Sequence, residues 1–596
     1  MIGIKRPLRR QLLVLLTGLS GLMAMGCSTA LEDEQPLDAG PRQLDGLLGQ
    51  CTPGEERCTD GYRDVCGGNG LWIQTNEAGG CGGIQDSCSA NAMRRSYIGC
   101  EYWPVDLDNA VEVFPVPPVN GVCDIPGNSN WRYRDDLFVC VLDNRLAGLC
   151  DLGRQCPETQ VCQQAPACVL DAQNSNFSIV ISNPSTASAV DVNLMTPDGQ
   201  ALSDVVPPGG VTRLEPYRAG VLDASIDGSG ITRSAYRLTS TGPIVAYQFN
   251  PLDNDGVFSN DGSLLLPSHA LDSVYLALTL PTIERRPYGH PYSGYLTVVA
   301  TDSGQTDIQV TPSADIRAGI RQASYAARME HSFSLQQGDV LNLEAADRGD
   351  LTGTRIAARN GKTIAVFVGH ESTLLSDRRR EGSDDPLCCG DHVEEQLLPI
   401  STWGVRFAVA RSAEREDQGR GGRVAPDRLR LLASNGDTRI EFSPTPVSGQ
   451  CGALVAGDYC DVYIQNDTEI ISNHPILVGQ MLLSTDGQTG DPALAFVPPV
   501  AQWRSDYTFL VPNEYRLQYA SIVSYEGGPV ELNGRDVSTS LYDFGDGLRA
   551  GRIELLESGR FILNCPQRCG LMVMGYDEAV SYMFAGGLDL EPVRLQ

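Results

Sequence analysis

Leu296-Thr297-Val298-Val299-Ala300, then Asp302-Ser303-Gly304, then Asp307-Ile308-Gln309-Val310 is the stretch that decides how this chain folds. An apolar run, a three-residue turn and an alternating run read as two strands, a hairpin in outline. The pattern recurs at Arg430-Leu431-Leu432-Ala433, Asn435-Gly436-Asp437, Thr438 to Phe442, and again at Ser521-Ile522-Val523-Ser524, Glu526-Gly527-Gly528, Val530-Glu531-Leu532. A looser first copy runs from Ser178 to Ile181, through Asn183-Pro184, to Val190-Asp191-Val192-Asn193-Leu194. Four repeats are visible.

Two further signals follow each copy in constant order. One sets a glycine between strand residues: Val206, Gly209 and Val211; Leu335, Gly338 and Val340; Leu454, Gly457 and Tyr459; Leu548, Gly551 and Ile553. A fixed glycine there fits a tight turn needing positive φ. The other is a nearly continuous apolar run, at Pro243 to Tyr247, Thr363 to Phe367, Pro475 to Gly479 and Gly570 to Met574, as strands buried on both faces require. Repeats starting roughly 90 to 135 residues apart are too long for a solenoid and suit six or seven strands each. The expected fold is all-β, with four tandem β-sandwich-like repeat units packed together. A large-bladed propeller is the alternative. Connectors of one type join them: Leu264-Leu265-Leu266-Pro267 to Leu278, Leu397-Leu398-Pro399-Ile400 to Val409, and Phe496-Val497-Pro498-Pro499 to Leu510.

Upstream the texture differs. Lys5, Arg6, Arg9 and Arg10 precede the apolar run Leu12 to Leu22, and Met25-Gly26-Cys27-Ser28 follows, as in a lipoprotein export signal with Cys27 as the lipid site. An ordinary secretory signal is the competing reading. Residues 1–27 are thus expected to be a signal peptide, 28–50 an acidic tether, 51–174 a cysteine-rich module and 175–590 the repeated β region. Twelve of the 19 cysteines lie between Cys51 and Cys168. With Cys27 set aside, the even remainder in an exported chain favours disulfides, their connectivity open. A zinc site there would have to be all cysteine, because no histidine precedes His269. The net charge of −29, or −33 without the four signal cations, disfavours nucleic acid and anionic membrane as partners.

Asp350-Leu351-Thr352-Gly353-Thr354-Arg355-Ile356 opens a second ordered series. It continues with Gly369-His370, Asp391-His392-Val393-Glu394-Glu395-Gln396-Leu397-Leu398-Pro399, Ser401-Thr402-Trp403-Gly404, Gly490-Asp491-Pro492, Val497-Pro498-Pro499 and Tyr507-Thr508-Phe509. In these motifs the chain resembles the IgGFc-binding protein N-terminal domain family, in the form found in lipoproteins of myxobacteria-like bacteria. The similarity spans about residues 177–590, and Gly99-Cys100-Glu101-Tyr102-Trp103-Pro104 looks like an upstream piece of the same pattern. The chain departs from it at Ser372, where many relatives carry cysteine, and at the doubled Cys388-Cys389. The resemblance implies a surface-displayed binding or adhesion module and no enzyme activity, and fold analogy transfers no ligand.

No nucleophile elbow, zinc-protease motif, phosphate loop or dinucleotide fingerprint occurs. Four constellations carry weight. Cys388-Cys389-Gly390-Asp391-His392 offers thiol, carboxylate and imidazole, and His370 with His392 can meet in space; hydrogen-bonded structural histidines are the competing reading. Asp253, Asp255 and Asp261 stand at alternating spacing, as calcium ligands do, against a hydrogen-bonded turn. Tyr288, His290, Tyr292 and Tyr295 beside Arg285 and Arg286 form an aromatic and basic cluster suited to a protein or glycan ligand, against simple packing. Cys451, Cys460, Cys565 and Cys569 are disulfide candidates in the repeated region. The sequence therefore points to a noncatalytic envelope lipoprotein, outer-membrane and facing the exterior or periplasm, that binds an external protein or glycan. No cofactor is expected beyond calcium. A structural spacer and a metal-dependent surface enzyme are the rival classes.

Overall fold

The computed structural model describes the strands within residues 56–78 and then residues 87–593, apart from 126–129, 151–155, 157–158, 258, 285–290, 320–321, 377–389, 416–424 and 485–488. The signal and tether, residues 1–50 with Cys27, lie outside the described residues. The chain divides into two compact bodies, residues 1–78 and 79–596. In the first, Glu56–Thr59, Tyr62–Cys66 and Trp72–Ala78 form an antiparallel three-stranded sheet. Everything below concerns the second.

Among the described residues that body holds one α-helix, Cys88–Arg94, and is otherwise strands and short 3-10 turns. No helix there is long and apolar enough to cross a membrane. Each apolar run becomes the core of a spine strand: Arg237–Asn250, Ile364–Thr373, Thr468–Leu482 and Gly559–Asp577. Each spine pairs antiparallel with a shorter strand after it, here called the hub strand: Asp261–Leu264, Asp391–Gln396, Ala493–Phe496 and Val580–Ala585. The register is the same four times, with Tyr247 opposite Leu264, Phe367 opposite Gln396, Gly479 opposite Phe496 and Met574 opposite Met583. The hub strands touch in a closed cycle, first to second, second to third, third to fourth and fourth to first. The repeats are sandwich-like in build and joined in a ring, as the blades of a propeller are.

The expected hairpins are a correction. In none of the four repeats do the two arms pair with each other. Gly294–Ala300 pairs with Val340–Glu344 and the spine, whereas Gln305–Thr311 pairs with His331–Gln336 and Arg355–Ala358 in a second sheet. The first repeat splits likewise, Ser178–Ser182 lying against spine residues 245–249 and Val190–Met195 against 237–240. The turn is an arch from one layer to the other. Burial explains it: Gly294–Ala300 is buried at every position, so it needs cover on both faces, while Gln305–Thr311 alternates and turns one face to solvent. A hairpin would put both arms in one layer and leave the apolar arm uncovered. The fixed glycine sits at a second arch, with φ of 64°, 83° and 85° at Gly209, Gly338 and Gly457. Gly551 departs from the expectation of positive φ; a Cβ there would lie 2.7 Å from the Ser540 carbonyl oxygen, so close approach selects glycine.

Each connector runs from hub strand through proline into a 3-10 turn, Ser268–Ala270, Ile400–Thr402 or Val500–Gln502, and then into the next repeat. The first repeat has no connector before it in sequence. Gly99–Tyr102 takes that place on the first spine, and Tyr97 N–H donates to the Leu588 carbonyl (3.2 Å) while Leu590 N–H donates to that of Arg95 (2.6 Å). The ring thus closes by hydrogen bonds between residues 95–97 and 588–590. A buried tyrosine marks the entering strand in three repeats: the hydroxyls of Tyr102 and Tyr275 donate to the spine carbonyls of Ile244 (2.6 Å) and Ile364 (3.0 Å), and that of Tyr507 to Cys569. Phe407 stands at the same place in the third repeat.

The cysteine-rich stretch is not separate from the ring throughout its length, because Gly99–Tyr102 belongs to the first repeat's sheet. Its remainder forms two small three-stranded sheets stapled by Cys123–Cys168, Cys140–Cys156 and Cys150–Cys162, with Cys88–Cys100 tethering the helix to the entering strand. The sulfurs of Cys140, Cys150 and Cys156 lie together, but each is spent in a disulfide and none is a thiolate for zinc.

Replacing Tyr275 with Phe leaves the Asp272 N–H, which donates to the hydroxyl at 3.0 Å, and the Ile364 carbonyl without their buried partner. A loss of about 1–3 kcal/mol is expected, read as a lower Tm in calorimetry.

Candidate functional site

The second repeat turns a polar face inward. Cross-strand register puts Tyr295 beside Glu344 on one side and Gly369 on the other, and Gly369 beside Glu394 of the hub strand. Side chains two residues apart share a face, so Ser293 and Glu371 join them. Asp108, from the segment after the entering strand, covers this face, and its carboxylate accepts from Gly228 N–H (2.8 Å) and the Asn342 amide (3.3 Å). Carboxylate oxygens of Asp108, Glu344 and Glu371 lie within 4.8 Å of one another.

The neighbouring hub strands extend this centre. Asp261 accepts from the N–H groups of Gly262 (2.9 Å) and Glu394 (3.2 Å), Asp391 from Asn260 N–H (2.8 Å), and Ser263 from Gln396 N–H (2.9 Å). The bonds from Glu394, Asn260 and Gln396 cross between the first and second hubs and take the place of a strand ladder there. Burial, with like charges beside it, pushes the carboxyls of Asp108, Asp261, Glu371, Asp391 and Glu394 well above their usual range, and burial alone, against the pull of Arg415 and hydrogen bonds, raises that of Asp491 to about 7. It pushes His370 down to about 4 and His392 to about 3, so both imidazoles are neutral. His370 Nε2 lies 3.1 Å from the Pro281 carbonyl and its Nδ1 accepts from Ser372 N–H at 3.2 Å, as a structural histidine does. His392 Nε2 lies 3.4 Å from Glu394, and its Nδ1 has no partner. None of Asp108, Asp261, Glu344, His370, Glu371, Asp391, His392 or Glu394 is more than 6% exposed. Such a centre stores protons or holds a hard cation, and offers nothing to a ligand outside.

The motif Asp350-Leu351-Thr352-Gly353-Thr354 locks the second repeat to the third. Asp350 pairs with Arg430 (2.6 Å) and accepts from the Tyr459 hydroxyl (3.1 Å), while Arg430, 2% exposed, also pairs with Asp461 (2.8 Å) and lies 4.0 Å from the Tyr459 ring centroid. Gly353, at φ 89°, admits the close approach of the next repeat, since a Cβ there would meet the Gly457 carbonyl oxygen at 2.2 Å.

Outward features are different in kind. At the seam of the third and fourth repeats an open cleft of about 500 Å³ is lined by Arg411, Pro444, Tyr542, Phe544 and Arg552. Tyr542 is 55% exposed, with the Arg552 guanidinium 5.7 Å from its ring centroid, and it lies on Tyr542–Gly545, the outermost strand of its sheet. Sequence reasoning missed this cleft because its lining comes from five separate loops and strands.

The residues singled out from sequence fare unevenly. Arg285, Arg286, Tyr288 and His290 lie outside the described residues, as do Cys388 and Cys389. Tyr292 and Tyr295, 7% and 0% exposed, belong to the interior and present no aromatic surface. The alternating acids do not make a calcium loop: Asp253 pairs with Arg213 and Arg218, Asp255 with Arg132, and Asp261 is sealed in the hub. Arginine partners and a strand with opposite-facing neighbours pull the three apart. Cys451 is bridged to Cys460, and Cys565 to Cys569.

Ring closure, sealed polar hub and disulfides define a closed all-β repeat scaffold. The chain belongs to the IgGFc binding protein family, whose profile matches residues 261–575, more than half of the 596. That span begins at the first hub strand and ends within the fourth spine. The human IgGFc-binding protein is 24% identical over 249 residues, which is 41% of this chain and 4% of the human protein. The chain thus matches only a small part of that relative's length. No solved structure matches the chain.

Two consequences are measurable. Arg430→Ala strands Asp350, leaves Asp461 to Arg428 alone and is expected to cost about 3 kcal/mol, seen as a lower Tm. His269, whose Nε2 lies 3.2 Å from the Ser96 carbonyl, is pushed down to about 4 by burial, chiefly, from its usual 6.5. Below pH 6.5 the unfolded chain binds a proton that the folded chain does not. The stability present above that pH is therefore lost as pH falls toward 4, by at most about 3 kcal/mol. Melting curves from pH 7 to 4.5 should fall more steeply for the wild type than for His269→Gln.

Proposed function

We propose that this chain is a noncatalytic binding module of the cell envelope, tied to an outer membrane by lipid on Cys27 and presenting its repeat ring to an extracellular protein or glycan. The observation that carries the reading is a division of labour. Groups fit for chemistry, the carboxyls and imidazoles of the hub, are sealed inside, while the seam cleft offers solvent an exposed tyrosine and a half-buried phenylalanine, with Arg411 and the Asp467-paired Arg552 in its wall. Aromatic and arginine side chains are the residue types that carry interface energy. Family membership supports a protein ligand, and the human relative's name makes immunoglobulin Fc the first probe.

Tyr542 supplies the test, because it is largely exposed and its loss leaves the core intact. Fc and mucin-type glycoprotein are passed over the immobilised chain and its Tyr542→Ala variant. Binding of either that weakens by about tenfold or more in the variant, at unchanged Tm, supports the reading. Absence of binding to both, with envelope proteins alone recovered by cross-linking on intact cells, refutes it in favour of a spacer. For the anchor, lipid labelling is expected in the wild type and absent in Cys27→Ala.

A further inference from the structure

We propose that Asp108, Glu344 and Glu371 hold one calcium ion inside the ring, with the Tyr295 and Ser293 hydroxyls turned toward it. Three carboxylate oxygens within 4.8 Å of one another, on side chains 2%, 4% and 6% exposed, concentrate negative charge where water does not offset it. Among the described residues no lysine or arginine forms an ion pair with any of the three.

Two independent observations point to an occupant. Tyr295 is fully buried, yet its hydroxyl has no hydrogen-bond partner; its ring crosses over Gly369, where a Cβ would lie 2.4 Å from that oxygen, and the oxygen feels the charges of Glu394, Asp108 and Glu371. The Ser293 hydroxyl, also fully buried, is likewise unpartnered, on the same sheet face as Glu371. Buried hydroxyls are rarely left unsatisfied, and two of them beside three carboxylates make an oxygen-only donor set. Carboxylates and neutral oxygens without nitrogen or sulfur select a hard cation, and a set of three carboxylates sealed from solvent suits calcium over magnesium, which holds its hydration shell. The ion would bind residue 108, which precedes the repeats, to the second repeat. It would thereby brace the joint between the leading segment and the second repeat.

The full chain is unfolded, refolded with calcium or with chelator, desalted and assayed for metal by mass spectrometry, with Tm measured in each state. Expected are one calcium per chain and a Tm that rises with calcium and falls in chelator. Glu371→Gln and Asp108→Asn should weaken binding by at least about tenfold, the loss that even an outer-shell change produces. Tyr295→Phe removes a hydroxyl that bonds to no protein group, so it should fold normally and still lose calcium affinity. The proposal is overturned by a wild type that takes up no calcium and melts alike in both states. It is equally overturned if Glu371→Gln raises Tm, because three crowded carboxylates without an ion gain from a neutral amide in place of one of them. Retention of zinc or magnesium in place of calcium overturns the choice of ion.

Discussion

A strand that is apolar on both faces must be covered twice, and the four spine strands impose that demand on everything around them. Each is paired along its edges by the inner arm of an arch and by a hub strand, and a second sheet packs outside. Once this is done four times, the hub strands are left with edges that only other hub strands can meet. A linear row would leave the first and last uncovered. The cycle is the arrangement without ends, and an uncovered edge is a liability that β proteins remove by closure.

The polar hub follows from the same geometry. Strands meeting at the ring's interior cannot all pair as a ladder, so side chains bridge them. The wholly buried strand Asp391-His392-Val393-Glu394-Glu395-Gln396 serves that purpose, its neighbours Asp261 and Ser263 receiving its N–H groups. The equivalent strand of the third repeat, Ala493–Phe496, is apolar and packs in a cluster with Met574 and Met583. One side of the hub is therefore held by directional bonds and the other by packing, which concentrates the acidic groups at the first and second repeats.

The repeat itself was legible, because spine runs recur in all four copies and arch glycines in three, and burial enforces their type. Pairing within it was not, because Asp302-Ser303-Gly304 permits a hairpin or an arch and only the cover required by Leu296 to Ala300 decides between them. The buried centre was illegible for another reason. Asp108, Tyr295, Glu344 and Glu371 come from distant segments, and a strand such as Asp391–Gln396 has the composition of an exposed edge. A sequence trace did exist: alignment on the prolines of the connectors sets Glu394 and Gln396 against Leu494 and Phe496, positions that a ring must bury. The tyrosine of the entering strand in three repeats, at Tyr102, Tyr275 and Tyr507, was available in the same way.

Closure between residues 95–97 and 588–590 has a consequence for how the protein comes into being. A chain made from its N-terminus offers the first repeat no partner on one flank until almost five hundred further residues have been synthesised. Contacts of such separation form late. Until then the leading repeat waits with an open edge, and the final strand acts as a keystone that turns four serially made pieces into one cooperative body.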